Sequence, residues 1–486
     1  MTQKLALSTL SNLPDSIAVP TYDRAGLSAG ILHIGMGNFH RAHQAVYLDR
    51  LFNLGVDHDW AIVGAGIMPF DAERRALLEK QDWLSTVVEM SPERYEARVT
   101  GAMIDFCPAE AEAIINSIAD PAIRIVSLTI TEGGYFIDAT SGQFDAEHPD
   151  IQHDAQHPDA PRTVFGILLA GLCRRRDAGT PPPAILSCDN IPENGHVTRH
   201  ALQGLAALIS AQLRDWLAEC VAFPNSMVDR ITPATSEGKR AMVAEQFGVA
   251  DAAPVVCEPF IQWVMEDNFP LGRPQLEKVG VQFTEDILSY ETMKLRLLNA
   301  GHAAISYPSA LLNIDCVHEA MADPDIAGWL MKLMSEDVIP VLSPIEGVDY
   351  QTYLNTCVTR FSNPEVRDTI ARLCQDGSNR QPKFVLPTIT EALDQGRPVE
   401  GLALEVAFWC RYCAETEALD DPRATVLRTA AQETRHNPAA FLALSEVFGT
   451  LGQNASFASG FARQITALWA NDARSVLRSF LNRKAA

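Results

Sequence analysis

A chain of 486 residues, 47% hydrophobic and 21% charged, is long enough for two domains with cores of their own. Its formal net charge of −22 argues against nucleic acid or an anionic membrane as partner, since both are themselves negative. No apolar run reaches membrane-spanning length, and no basic-then-apolar signal segment opens the chain; its ten cysteines lack regular spacing, so a cytoplasmic protein with free thiols is expected.

Residues 1 to about 30 read as an irregular leader. Ile31-Leu-His-Ile-Gly35 then reads as a short buried strand, and residues 44–54 have helical apolar spacing. Between them lies Gly35-Met-Gly37-Asn-Phe-His-Arg-Ala-His43. A strand, a Gly-rich turn and a helix in that order let the backbone approach a pyrophosphate. The candidate cofactor residues are therefore Ile34, Gly35, Met36, Gly37, Asn38, Phe39, His40 and Arg41. His40 stands where the third glycine of the usual fingerprint would be, and an ordinary tight turn is the alternative. Trp60-Ala-Ile-Val-Gly64 is a second strand at βαβ distance, closely followed by Asp71. A carboxylate there can accept from the adenosine ribose hydroxyls and repel a 2′-phosphate, which predicts NAD as cofactor. Asp71 can equally cap the helix that starts beside it. Arg74 and Arg75 could instead attract a 2′-phosphate.

Further strands are expected at 123–130, ending in Thr131-Glu-Gly-Gly-Tyr135, and at 183–187, ending in Cys188-Asp-Asn190. Ligands of open α/β sheets bind beyond the carboxyl ends of strands, so Glu132 and Asn190 are site candidates. The stretch 148–157 holds three histidines among polar residues and a proline; it reads as an exposed loop, with metal binding as the alternative. No Cys/His cluster has zinc-ligand spacing elsewhere, so no metal is expected. Residues 223–233 read as a loop-strand passage with Asp229 at its centre, either a site residue or a turn aspartate. Cys410-Arg-Tyr-Cys413 lies in an apolar helical stretch, which weighs against a redox or metal role.

From 287 onward the pattern is largely helical, with apolar faces at 289–313, 325–340, 365–374 and 400–416. The expected architecture is thus α/β. A Rossmann-type doubly wound sheet domain with its leader occupies 1–285, and a mainly α-helical catalytic domain occupies 286–486. The segment Tyr290-Glu-Thr-Met-Lys-Leu-Arg-Leu-Leu-Asn-Ala-Gly-His302 opens the second domain, near a boundary where clefts form. On an α-helix Lys294, Asn299 and His302 lie at roughly 0°, 140° and 80°, all on one side. An amine, an amide and an imidazole on one wall suit alcohol–carbonyl chemistry, although a solvated amphipathic face is the plain alternative. Tyr290 and Lys294 also match the Tyr-x-x-x-Lys pair of short-chain dehydrogenases, but the chain is about twice that length and its glycine pattern differs.

Taken in order, the Gly35–His43 segment, Ser187-Cys-Asp-Asn190 with Asn194-Gly195, Phe223-Pro-Asn-Ser-Met-Val-Asp-Arg230, Lys294-x4-Asn299-x2-His302 and Asp376-Gly-Ser-Asn-Arg-Gln-Pro-Lys-Phe384 resemble the polyol-specific long-chain dehydrogenases, the mannitol dehydrogenase family. The Asp376 stretch is most similar to the family's mannitol 2-dehydrogenase branch. The resemblance implies a metal-independent, NAD-linked interconversion of a polyol and a ketose, mannitol and fructose above all. It implies Lys294 as general acid/base, Asn190 and Asn299 holding the reacting oxygen, and His302, Asp229, Arg372 and Arg380 positioning the other hydroxyls. Glu132 would lie on a proton route; at Arg380 a lysine is expected in some relatives. The partner expected is a small polyol or ketose, and a monomer is compatible with the sequence. A hexuronate reductase of the same family would need a further cation such as Arg372, Arg380 or Lys383. A non-catalytic dinucleotide sensor would leave Lys294 and both asparagines without purpose.

Overall fold

The computed structural model describes residues 2–138 and 142–483, in two compact units, Met1–Leu288 and Ser289–Ala486. The first is built on five parallel strands: β1 (Ala29–Ile34), β2 (Ala61–Ala65), β3 (Met103–Phe106), β4 (Ile125–Leu128) and β5 (Ala184–Ser187). Their spatial order is β3-β2-β1-β4-β5, so the chain leaves β1 first to one side and later to the other. The carboxyl end of β1 beside β4 is therefore the topological switch point, where such sheets bind ligands.

Strand alternation assigns the two faces. Leu32 and Ile34 of β1, with Val126 and Leu128 of β4, join one core covered by the helices Ala111–Ala119, Val164–Asp177 and Asn194–Ile209. Ile31 and Ile125 point the other way and pack with Tyr47, Leu48, Leu51 and Phe52 of the helix Gln44–Asn53. Burial on both faces accounts for the nearly continuous apolar runs of β1 and β4.

The leader is more ordered than its sequence suggests. Gln3–Lys4 pairs with Val249–Ala250, and Ile17–Ala18 adds an edge strand to a mixed sheet formed with Val255–Cys257 and the hairpin Ser85–Met90/Tyr95–Thr100. Both contacts join segments far apart in sequence, so local pattern could not reveal them. The 148–157 stretch is not a loop either. Pro149–Gln156 is a helix whose N-cap, His148, accepts the Asp150 N–H through Nδ1 at 3.2 Å. Proline at the first helical position and buried Ile151 stabilise it.

The second unit is helical throughout. Trp329, Phe408, Trp409 and Phe441 fill its core, and edge-to-face contacts join Trp329 to Phe408 and Trp409 to Phe441. The expected helix at 365–374 shrinks to Ile370–Leu373, because Arg367 takes a left-handed φ of 52° and Thr369 caps the shortened helix. Cys410 and Cys413 are buried free thiols in the helix Glu400–Glu415, and burial raises both far above the ordinary thiol range. Among the described residues no helix is long and apolar enough to cross a membrane, and no cluster of three His, Cys, Asp or Glu could hold a metal.

One buried charge sets a pH dependence. Glu405 is fully enclosed, with its Oε1 accepting from Gln381 Nε2 at 2.7 Å, and burial raises its carboxyl to about 8. Between its ordinary value of 4.5 and about 8 the unfolded chain releases that proton while the folded chain keeps it, so this group's stabilisation is lost as pH rises through that window. Glu405→Gln keeps the shape and removes the titration. Urea unfolding should show the variant gaining on the parent between pH 5 and 8.5, by on the order of 3 kcal/mol. Parallel pH profiles would sink the assignment.

Candidate active site

The Gly-rich turn at the end of β1 is closed by contacts that admit no side chain. Gly35 has φ +104°, and a Cβ on it would lie 2.0 Å from Thr129 O at the end of β4. The Gly37 N–H bonds Gly35 O at 2.6 Å, and the chain then enters a short helix, Asn38–Ala42. Helical structure thus begins six residues earlier than the apolar spacing suggests (Asn38 against Gln44) and is broken at His43, where φ is −121° and ψ −88°. This bare backbone at the switch point fits a dinucleotide pyrophosphate. Ile34 and Met36 are buried beneath it, and Phe39 stacks on His43.

His40 fills the place of the missing third glycine by an aromatic contact. Its ring stacks on that of His33 in β1 at 3.5 Å between centroids and an interplanar angle of 17°. His33 is held in turn by Ser127 Oγ at 2.8 Å and Thr129 Oγ1 at 3.0 Å. Burial lowers His33 to about 3 and, helped by the charge of Arg41, drives His40 well below its ordinary value. Two neutral rings therefore set the helix–strand spacing that a glycine sets elsewhere. The sequence signal was a histidine inside a buried strand, seven residues before His40. Arg41 is spent on structure: Nη2 donates to Asn38 Oδ1 at 2.7 Å, and Nη1 donates to Ala253 O.

Of the two roles open to Asp71, the structure shows the cap. Asp71 is the third residue of the helix Pro69–Glu79, and its Oδ2 accepts the Met68 N–H at 3.0 Å. The carboxylate is folded against Gly66, where a Cβ would come within 2.3 Å of it, and the residue is 4% exposed. One of its oxygens is thus committed to the helix, and burial raises its pKa.

Asn190 and Glu132 stand on adjacent strand ends joined by Asp189, a residue with no separate signal in the sequence. Asp189 Oδ2 accepts from Ile130 N at 2.9 Å and Tyr135 OH at 2.7 Å, while Oδ1 accepts from Thr131 N at 2.9 Å. These bonds hold Thr131 at φ 63°, ψ 165°, a region costing a residue with a Cβ about 1–3 kcal/mol. Glu132 comes next, on an exposed 3-10 turn; Asn190 is exposed just after Asp189. Asn194 binds the next layer, since its Oδ1 accepts Ser226 N and its Nδ2 donates to Ser226 O. Asp229 is therefore the buried last residue of the strand Ser226–Asp229, not a turn residue. Beside it Arg230 is fully buried, donating to Glu89 Oε1 and Ala42 O, each at 2.6 Å.

In the second unit the lysine segment is not an ordinary α-helix. Lys294–Asn299 forms a π-turn, with Ala300 N–H bonded to Leu295 O five residues back. Such a turn takes more residues per revolution, so residue +5 comes closer to the direction of Lys294 than α spacing predicts. Arg296 anchors the turn by donating to Thr388 Oγ1 and to Glu391 Oε1 at 2.7 Å. Lys294 is buried. Asn299 Oδ1 is also buried, yet meets no hydrogen-bond partner among the described residues.

His302 stacks on Phe361 at 4.0 Å, and burial lowers it to about 3, opposed by Asp368 and reinforced by Arg372, Arg380 and Arg360. It is therefore a neutral donor or acceptor, and both predicted arginines lie in its field. Arg372 is held by Asp368, with Nε donating to Oδ1 at 2.6 Å and Nη2 to Oδ2. Arg380 Nη1 donates to Leu373 O at 2.7 Å. Two further residues of the Asp376 motif serve structure: Ser378 bonds Asp421, and Asn379 bonds Asp376 and Arg423.

Known proteins resemble both units of the chain. Residues 29–278 match the mannitol dehydrogenase Rossmann domain, and residues 286–469 match the mannitol dehydrogenase C-terminal domain. The chain is 54% identical over 474 residues to mannitol 2-dehydrogenase of Cereibacter sphaeroides, covering 96% of this chain and 99% of that protein. Mannitol 2-dehydrogenase of Pseudomonas fluorescens, solved as a ternary complex with NAD and D-mannitol, is 44% identical with a TM-score of 0.86, covering 99% of this chain and all (100%) of that one. A substrate-free D-sorbitol dehydrogenase gives a TM-score of 0.90 at 33% identity, covering 97% of this chain and 100% of its own. With both domains matched and more than half its residues shared with such a relative, this chain belongs to the mannitol dehydrogenase family.

Proposed function

We propose that the chain oxidises mannitol to fructose with NAD and catalyses the reverse reduction. One observation carries the reading beyond family membership. The π-turn presents a buried amine and an amide with an unfilled hydrogen-bonding position on one element. A buried acceptor ordinarily has a donor, and a substrate hydroxyl is the natural one here, leaving the Nδ2 of Asn299 to donate to the reacting oxygen.

The bound nicotinamide supplies the hydride acceptor. The chain's own residues handle the proton and the charge. Lys294 takes the hydroxyl proton as hydride leaves carbon and returns it during ketose reduction. The amides of Asn190 and Asn299 donate to the oxygen as it becomes alkoxide-like, and being uncharged they do not compete for its proton. His302, neutral through its burial, exchanges hydrogen bonds with a neighbouring hydroxyl. Asp229, Arg372 and Arg380 orient the remaining hydroxyls. Glu132, exposed on its 3-10 turn, suits proton exchange with solvent.

The reading is tested by rates of NAD reduction over mannitol, sorbitol, arabinitol, mannonate and altronate. Mannitol should lead in kcat/KM. Preference for mannonate would make the chain a hexuronate reductase, and NADH binding without turnover of any of the five would leave only a sensor.

The base is tested by Lys294→Ala, which should lose at least about a hundredfold in turnover, while Tyr290→Phe stays mild. Greater damage from Tyr290→Phe would move the acid/base to the tyrosine.

For the oxygen-holding amides, Asn190→Ala and Asn299→Ala should each remove up to about 3 kcal/mol of transition-state stabilisation. NADH affinity by fluorescence should hardly change. Weakened NADH binding with normal saturated turnover would assign the amides to the cofactor instead.

A further inference from the structure

The capping role of Asp71 bears on which dinucleotide the chain accepts. In a doubly wound sheet, the adenosine ribose lies beyond the carboxyl end of the second strand, and a carboxylate there discriminates against a 2′-phosphate. Here that edge reads Gly66-Ile-Met-Pro-Phe70, with no acid, and Met68 and Phe70 are exposed. Asp71 comes next, but it is turned inward, with one oxygen committed to Met68 N.

Two guanidinium groups bracket the same edge. Arg74 Nη1 donates to Met36 O in the Gly-rich turn at 2.7 Å, and Arg75 Nε donates to Phe106 O at the end of β3 at 2.8 Å. Arg75 is also paired with Glu79. Arg74 makes no close ion pair among the described residues, although the Asp71 carboxylate lies in its field, and its guanidinium lies 5.9 Å from the exposed Phe70 ring. Its remaining N–H groups form a fork of the kind that phosphate oxygens fill.

We propose that the ribose edge beyond β2 admits a 2′-phosphate, with Arg74 as its counter-charge, so that the chain uses NADP as well as NAD. This rests on the dinucleotide-linked function proposed for the chain, and its test separates the two. Binding of 2′,5′-ADP and of 5′-ADP to the whole chain is measured by tryptophan fluorescence, apart from any turnover. The 2′-phosphate compound should bind within about tenfold of 5′-ADP or tighter, and Arg74→Gln should lower the ratio of the two affinities about tenfold. In steady state, kcat/KM with NADP should exceed about a hundredth of that with NAD. Asp71→Asn, which can still cap, should change the NADP:NAD ratio less than about threefold.

Rejection of 2′,5′-ADP alongside good 5′-ADP binding would overturn the proposal and leave the dinucleotide reading intact. So would a rise of tenfold or more in the NADP:NAD ratio in Asp71→Asn, since the carboxylate would then be the discriminating group. Failure of 5′-ADP, NADH and NADPH alike to bind would instead remove the dinucleotide reading on which the proposal stands.

Discussion

At the carboxyl edge of a parallel sheet the backbone runs out of neighbouring strands, and its polar groups must find other partners. The site-forming features of the first unit all depend on how this chain meets that demand. Asp189 takes two N–H groups and a phenol from the end of β4. Thr129 Oγ1 donates to Gly35 O across the switch point at 2.6 Å. Asn194 pairs with both backbone groups of Ser226. The strand ends are thereby fixed, and the residues just past them, Glu132 and Asn190, are delivered to the surface where ligands of such sheets bind. The cost appears as the unusual backbone of Thr131, which persists because three acceptor contacts over-determine it.

The second unit meets a different demand with a comparable device. A regular α-helix would set Lys294 and Asn299 at opposite margins of one side, roughly 140° apart. The wider π-turn reduces that spread, and Arg296 fastens it to the helix Leu386–Asp394. A turn whose backbone bonds are rearranged in this way is held by packing and by side-chain ties, not by helix propensity. The neutral His302 stands beside the Asp368–Arg372 pair, with Arg380 and Arg360 adding positive charge to the surround.

Much of the candidate site was legible because its residues sit in motifs that carry a local mechanism. Gly35 is required by its φ and by the approach of Thr129, and the strand–turn–helix pattern around it could be read directly from apolar spacing. Asn190 and Glu132 were singled out as candidates by the rule that polar strand endings face ligands. Asp189 stands next to Asn190 in the same motif, yet nothing local distinguishes the aspartate that clamps from the asparagine that is presented. The histidines of 148–157 suggested a loop or a metal site by composition. Their helix depends on Ile151 finding a core formed by segments elsewhere in the chain.

The sequence by itself determined the periodicities: buried strands alternating with helices up to about residue 285, then helices alone, with the glycines and the lysine–asparagine–histidine spacing that tie the chain to its family. Those features are local, since a strand or helix buries its apolar side wherever the partner surface comes from. Only the tertiary structure decided where the polar side chains are spent. It turned Asp71 inward onto its own helix, stacked His40 on His33, widened the turn at Lys294 and paired the leader with Val249–Ala250. Each of these outcomes depends on the direction of a short-range polar or aromatic contact, which is set once the surrounding elements are packed.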